Sequence, residues 1–103
     1  MAVRADKTTF ETEVLKSDKK VIADFYSDSC VPCKRIAPIL SEIESENENV
    51  KLVKINVNFD SELAQEYGVS SAPTLIFFSA GEEKNRTVGF KKKTDIVDII
   101  NNI

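Results

Sequence analysis

Cys30 and Cys33 are the only cysteines of the chain, and they lie where an apolar run passes into a pattern with helical spacing. Residues 21–26 are mostly apolar and predict a buried strand. The face of the helix that follows is marked by Ile36, Leu40 and Ile43. Because the cysteines are three residues apart at the start of that helix, one turn brings their sulfur atoms within bonding distance. This pattern favours reversible thiol–disulfide exchange.

Such exchange needs a thiolate that attacks and a second thiol that releases the mixed disulfide. A helix N-terminus favours negative charge, so the leading sulfur should be the more acidic one. Pro32 suits the active-site turn, because the first helical turn does not need its missing N–H. We therefore predict that Cys30 is the nucleophile and Cys33 the resolving thiol. The alternatives are two buried apolar side chains or half of a metal site, although a chain without histidine makes a poor zinc site unless two chains pair.

The elements that must position these cysteines alternate in the order β-α-β-α-β-α-β-β-α. This order predicts a single domain, residues 1–103, of the α/β class. Its mixed central β-sheet should carry helices on both faces, with the final hairpin as its antiparallel part. The expected strands are residues 2–5, 21–26, 50–57, 74–78 and 84–90, with a hairpin turn at 79–82.

Four helices are expected, and their ends carry recognisable signals. Thr8 or Thr9 can cap the first, since Thr8 and Glu11 fit a capping box. The second should run from the cysteines to about residue 46, kinked but not ended by Pro38. The third and fourth should be capped by Asp60 or Ser61 and by Thr94, and Gly68 should end the third in the left-handed conformation.

A family resemblance extends over almost the whole chain. Residues 21–40 resemble thioredoxin, and so do residues 54–57, 67–69 and 71–75 together with Gly81 and Gly89, in the family's order and nearly its spacing. The resemblance implies the thioredoxin fold. Two departures stand out: the family's usual Trp-Cys-Gly-Pro-Cys is Ser-Cys-Val-Pro-Cys at residues 29–33, and the chain has no tryptophan.

Asp24 is a candidate for proton transfer, because it lies inside the apolar strand, where burial tends to raise the pKa of a carboxyl group. Strand alternation leaves open whether it lies beneath the cysteines or at a solvated strand end. The resemblance implies that Asp24 deprotonates Cys33 in the resolving step. It also implies that Lys54, at the matching position of the next strand, is the partner of Asp24; the alternative is an ordinary solvent-facing lysine.

The substrate-binding residues are implied by the resemblance alone. They are Ser29 and Val31 beside the cysteines, Ala72 and Pro73 in the segment before the fourth strand, and Gly89. The Ala72–Pro73 peptide bond is expected to be cis and to lie next to the cysteines, with the backbone of Ala72 offered to an extended peptide through main-chain hydrogen bonds. The alternative is a proline that simply begins a strand.

Composition excludes other classes of function. The formal net charge of −3, with 14 basic and 17 acidic side chains, is poorly suited to nucleic acid or an anionic membrane. Residues 91–93 form the longest basic run and are interpreted as a solvated turn. The chain has no signal-like segment at its start and no run of about 18 apolar residues, so we expect a cytoplasmic protein.

These observations predict a monomeric protein-disulfide reductase and electron carrier. Its partners would be disulfide-containing target proteins and a thioredoxin-reductase-type electron donor, with no cofactor and no metal. Three alternatives remain. One is a disulfide oxidase or isomerase, which would need an oxidising compartment. The others are a binding module of the same fold without turnover, and a dimer that bridges a metal or an iron–sulfur centre between two cysteine pairs.

Overall fold

The structure is a computed structural model, and it describes residues 2–103. Five strands and four helices follow one another in the predicted order. They are β1 (Val3–Arg4), α1 (Glu11–Leu15), β2 (Lys20–Tyr26), α2 (Val31–Glu46), β3 (Val50–Asn56), α3 (Ser61–Glu66), β4 (Thr74–Ser79), β5 (Glu82–Val88) and α4 (Lys93–Asn101). Helix α1 is a short π-helix. None of the helices in residues 2–103 has the length and apolar character needed to cross a membrane.

The strands form one sheet in the order β1-β3-β2-β4-β5. Strand β3 runs parallel to β1 and β2, whereas β4 is antiparallel to both β2 and β5. The end of β2 therefore lies beside the start of β4, with Phe25 opposite Thr74. This arrangement brings the cysteine turn that follows β2 and the Pro73 segment that precedes β4 to the same edge of the sheet. The predicted mixed α/β fold is confirmed.

Each face of the sheet is covered by helices and has its own hydrophobic cluster. The β2 residues Val21, Ala23 and Phe25 pack on the face that is covered by α1 and α3. Ile22 points to the other face, where helices α2 and α4 pack through Ile36, Leu40, Ile43, Ile96 and Ile100. Residues two apart in a strand share a face, so Asp24 lies on the α2 side with Ile22.

The helix ends differ from the prediction at two caps. The carboxylate of Asp6 accepts hydrogen bonds from the N–H groups of Thr8 and Thr9, and Thr9 Oγ1 accepts one from the Asp6 N–H. This reciprocal cap begins two residues before Thr8, so the expected Thr8–Glu11 box is wrong. Thr94 lies inside α4 instead of capping it. Asp6 and Thr9 satisfy free backbone N–H groups at the start of the first helix, which is the role expected of Thr8 and Glu11.

Two other signals at the helix ends act as expected. Helix α2 continues through the exposed Pro38 to Glu46. Gly68 follows α3 with a φ of +68°, which confirms the left-handed end. Asp60 lies at the predicted N-cap position of α3, but its side chain makes no capping hydrogen bond; its Oδ1 instead accepts a hydrogen bond from the N–H of Lys7. This bond ties the start of α3 to the segment before α1.

The predicted hairpin turn at residues 79–82 is present, and β4 and β5 pair directly up to it. Ser79 pairs with Glu82, which leaves only Ala80 and Gly81 in the turn, both with positive φ. Two consecutive positive φ values suit the right-handed twist of the strands. Strand β5 consequently starts at Glu82 and ends at Val88, two residues earlier at each end than the pattern predicted.

Candidate active site

Cys30 and Cys33 lie at the start of helix α2 and are joined by a disulfide, with their Cα atoms 5.2 Å apart. Cys30 is the N-cap residue, and its Sγ accepts a hydrogen bond of 3.1 Å from the backbone N–H of Cys33. Pro32 lies in the first turn, where its missing N–H costs no helical hydrogen bond. The first sulfur thus occupies the position where free N–H groups and the helix dipole stabilise negative charge.

The two cysteines differ in exposure. Cys30 is partly exposed, whereas Cys33 is 6% exposed and belongs to the buried face of α2. The residues beside Cys30 are open to solvent: Ser29 is exposed and the Val31 side chain is 65% exposed. A partner molecule can therefore reach Cys30 more readily than Cys33.

Asp24 lies beneath this turn, on the same face of the sheet as α2, and is only 2% exposed. It lines a cleft of about 250 Å³ together with Cys33, Tyr26, Lys34 and Lys54. Burial raises the pKa of the Asp24 carboxyl to about 6, and the charge of Lys54 opposes part of that rise. Within residues 2–103 its Oδ1 has no hydrogen-bond partner, so this atom is available to a proton carried by another group.

Lys54 is the direct neighbour of Asp24 on β3. In the part of the chain that the structure describes, no ion pair within 4 Å joins the two side chains; the Lys54 ammonium lies 4.9 Å from the centroid of the Tyr26 ring. Its influence on Asp24 is electrostatic, without direct contact. Tyr26 was missed as a site residue, although strand alternation places it on the same face as Asp24 and could have revealed it.

The segment before β4 completes the site. The Ala72–Pro73 peptide bond is cis, and Pro73 is buried. The Pro73 carbonyl accepts a hydrogen bond of 2.8 Å from the N–H of Gly89, and the Thr74 hydroxyl donates one of 2.7 Å to the Ser71 carbonyl. The N–H and C=O of Ala72 are not bonded to any other group within residues 2–103. Both main-chain groups are therefore free to pair with an extended peptide.

The comparisons with known proteins agree with this geometry. The family model named Thioredoxin matches residues 1–102. This chain belongs to the thioredoxin family. A thioredoxin of Rickettsia bellii is 40% identical over 103 residues, which cover 99% of this chain and 98% of that protein. Thioredoxin 1 of a Nostoc species is 38% identical over 96 residues, which cover 92% and 90% of the two chains.

A third relative is longer. The bifunctional thioredoxin reductase/thioredoxin of Mycobacterium leprae is 37% identical over 108 residues, which cover all of this chain and 24% of that protein. Thioredoxins are protein-disulfide oxidoreductases. The family match and the Cys30–Cys33 pair thus confirm the predicted class of function, dithiol–disulfide exchange.

Beside the cis-proline segment, this thioredoxin has a polar cleft of about 360 Å³ that sequence reasoning missed. Four serines contribute to its walls: Ser27, Ser61, Ser70 and Ser71. The exposed Ser29 next to Cys30 adds a fifth hydroxyl near the reactive sulfur. Ser29 alone stands where the family usually has a tryptophan, and it leaves a small polar side chain beside Cys30.

The groups that meet at the Asp24 cleft are the Cys33 sulfur of the Cys30–Cys33 disulfide and a buried carboxyl. Sulfur exchange and proton transfer use groups of these types. No group of three or more His, Cys, Asp or Glu residues within positions 2–103 is arranged to hold a metal ion.

Proposed function

We propose that this thioredoxin reduces disulfides of target proteins, with Cys30 as the nucleophile and Cys33 as the resolving thiol. The observation that carries the assignment is the difference in exposure: Cys30 is partly open to solvent and Cys33 is 6% exposed. Only an accessible sulfur can meet the disulfide of a folded partner, and a covered sulfur in the next turn of the helix is suited to an intramolecular second step.

In the first step the reduced protein attacks. The Cys30 thiolate forms a bond to one sulfur of the target disulfide, the target S–S bond breaks, and the other target sulfur leaves as a thiolate. The N-terminus of α2 and the Cys33 N–H stabilise negative charge at Cys30 Sγ, which supports a thiolate at this position.

In the second step Cys33 displaces the reduced target. Its thiol first loses a proton, and Asp24 accepts it across the shared cleft. The Cys33 thiolate then attacks Cys30 Sγ, the Cys30–Cys33 bond forms, the mixed disulfide bond between Cys30 and the target breaks, and the target sulfur leaves as a thiolate with the electron pair of that bond. A carboxyl group with a pKa of about 6 is mostly ionised at pH 7 and is still basic enough to take up a proton. Lys54 assists by tuning that pKa.

Substrate binding is assigned to the surface around the exposed sulfur. An extended target segment would pair with the free N–H and C=O of Ala72, held in place by the cis Pro73 bond and by Gly89. Ser29 and Val31 would contact the target residues next to its disulfide. Main-chain recognition of this kind tolerates many target sequences, which suits a general reductase.

After each turnover the Cys30–Cys33 disulfide must be reduced again, and this step needs an electron donor of the thioredoxin-reductase type. The Mycobacterium leprae relative, whose name gives it both activities in one chain, supports this pairing. We also propose a cytoplasmic location, because a reductase works in a compartment that keeps its thiols reduced. A monomer is proposed because β5 is an edge strand whose sequence is largely charged, which opposes pairing with a second sheet.

The test compares Cys30→Ser with Cys33→Ser on a protein disulfide substrate. We expect no reduction by the first variant, and from the second a stable mixed disulfide through Cys30 that mass spectrometry detects. Trapping through Cys33, or equal residual reduction by both variants, would refute the assigned roles. Circular dichroism of both variants checks that neither loss reflects unfolding.

A further inference from the structure

Three cations, one in α2 and two in the connection that precedes α4, have no acidic partner in residues 2–103. Lys91 and Lys92 lie in the connection from β5 to α4, and Arg35 lies in the first turns of α2. None of the three forms an ion pair with a carboxylate in this part of the chain, whereas Lys93 and several other surface cations do. We call Arg35, Lys91 and Lys92 the basic rim. None of its three charges is used in an ion pair within residues 2–103.

Lys93 belongs to the same basic run, but its charge is paired with carboxylates of the folded chain. Its Nζ is bonded to Glu42 and lies 2.8 Å from Glu46. This pair of contacts ties the start of α4 to α2. Lys93 thus fixes the backbone beside Lys92, which is exposed, and Lys91, which is half-buried.

Arg35 is fixed by an aromatic ring. Its guanidinium carbon lies 4.5 Å from the centroid of Phe90, which packs on the α2 side of the core. A guanidinium stacked on a ring loses little side-chain freedom when it binds, and its edge N–H groups remain available to a carboxylate in a bidentate arrangement. The stack also brings Arg35 next to the residue that precedes Lys91.

The rim is continuous with the redox site. Arg35 lies two residues after Cys33 and one helical turn beyond the exposed Val31. On the other side, Gly89 is bonded to the Pro73 carbonyl, and Phe90 and Lys91 follow it directly. A segment paired with Ala72 and reaching past Pro73 would therefore extend toward the rim.

The charge around the site is uneven. The whole chain has a net charge of −3, and the α3 side of the site carries Asp60 and Glu66. Lys34 lines the Asp24 cleft and is not part of the rim. Helix α4 itself carries the exposed Asp95 and Asp98, so the positive charge that an approaching partner meets is local to the basic rim. Such an arrangement orients a charged partner and raises its rate of encounter.

We propose that Arg35, Lys91 and Lys92 form a docking surface for an acidic segment next to the disulfide of a target protein. This inference rests on the proposed reductase function and names a class of preferred substrate. Carboxylates are favoured over phosphates of nucleic acid, because the rim has only three cations and the rest of the molecule would repel a long polyanion.

The experiment uses two disulfide-linked peptides that differ only in three residues beside one cysteine, all Glu in one peptide and all Gln in the other. The variant R35Q/K91Q/K92Q is compared with the wild type and with the control K16Q/K19Q/K84Q, which has the same net charge. A second variant, K91Q/K92Q, keeps the stack of Arg35 on Phe90 intact.

At low ionic strength we expect the triple rim variant to lose roughly tenfold in kcat/KM on the acidic peptide, and the double variant to lose a smaller part. The Gln peptide should be reduced at an unchanged rate by every variant. About 0.5 M salt should abolish the difference, since it screens exposed charges.

The proposal is overturned by an equal loss on both peptides, by the same loss in the control variant, or by no loss at all. It is also overturned if the rim instead governs binding to duplex DNA or anionic vesicles with no effect on the acidic peptide. Failure of the wild type to reduce either peptide would contradict the reductase function itself, so the two failures can be told apart.

Discussion

The buried carboxyl of Asp24 makes stability depend on pH at the scale of a single residue. Its pKa is about 6 in the folded chain, against 3.8 for an ordinary aspartate. Each unit of difference in pKa corresponds to about 1.4 kcal/mol, so ionisation of Asp24 costs the folded state on the order of 3 kcal/mol at neutral pH. Because the pKa is raised on folding, this cost is absent below about pH 4, grows between pH 4 and 6, and is fully present above 6.

We therefore expect Asp24→Asn to be more stable than the wild type at pH 7, by about 2–3 kcal/mol, and nearly equal to it at pH 4. Urea unfolding of the oxidised proteins at several pH values measures this difference. The control is Asp28→Asn, which makes the same chemical change at an exposed carboxylate. A constant gap between Asp24→Asn and the wild type would contradict the burial argument.

Lys54 should act on Asp24 through its charge, because no ion pair within 4 Å joins them in residues 2–103. Lys54→Met removes the attraction that opposes the raised pKa, so the pKa of Asp24 should rise above 6. Lys54→Arg keeps the charge and should leave it near 6. Carbon-13 NMR titration of the Asp24 carboxyl measures both; an unchanged pKa in Lys54→Met would show that Lys54 does not tune this group.

For single residues, the sequence predicted the site where the chemistry allows only a few residue types. Two cysteines three apart in a chain without histidine favour redox chemistry, and an aspartate inside an apolar strand is costly enough to indicate a special environment. Tyr26 was not predicted, because an aromatic residue at a strand end is usually core, and only the cross-strand neighbour reveals the ammonium above its ring. The sequence also could not place Asp24 beneath Cys33, because that depends on which face of the sheet α2 covers.

Among the elements, the hairpin between β4 and β5 makes the sharpest prediction. A Cβ added at Gly81 would lie 2.7 Å from the carbonyl oxygen of Leu15, at a φ of +78°. Gly81→Ala should therefore cost about 2–4 kcal/mol, from left-handed strain together with the displacement of α1. Thermal or chemical unfolding measures it.

Gly68→Ala is the matched control. Its φ of +68° imposes a similar strain, but a Cβ there meets no atom within 4 Å in the described part of the chain, so the cost should be about 1 kcal/mol. Equal costs at the two glycines would mean that α1 moves away without penalty.

Element type was predictable and element ends were not. The spacing of apolar residues was sufficient to identify β2, α2 and α4. Pro38 did not lead to a wrong helix end, because apolar residues continued at helical spacing beyond it. The first cap was misplaced because Asp6 and Thr8 both fit a capping pattern, and only the backbone decides between them. The shift of β5 came from a two-residue turn at Ala80 and Gly81, which the sequence allowed equally with a four-residue one.

For the whole molecule, stability rests on the two clusters that share the sheet. Phe77 is fully buried on the α2 side, whereas Phe59 is 81% exposed. Phe77→Ala should cost about 3–5 kcal/mol, because it removes buried apolar surface and leaves a cavity. Phe59→Ala should change the unfolding free energy by less than about 0.5 kcal/mol. A large loss in Phe59→Ala, measured by denaturant unfolding, would indicate a contact that the folded chain does not show.

The arrangement of strands was the least accessible property from the residues alone. The alternation of strands and helices restricts the topology, but the order β1-β3-β2-β4-β5 depends on contacts between residues far apart in sequence. The order of strands and helices predicted a mixed sheet, and the family resemblance identified which fold contains that sheet.

The amide of Cys33 already points at Cys30 Sγ while the two sulfurs are joined. In the reduced protein, where we propose that Cys30 carries the thiolate, this N–H donor is already in place and the backbone needs little rearrangement. The oxidised and reduced proteins can thus share one scaffold.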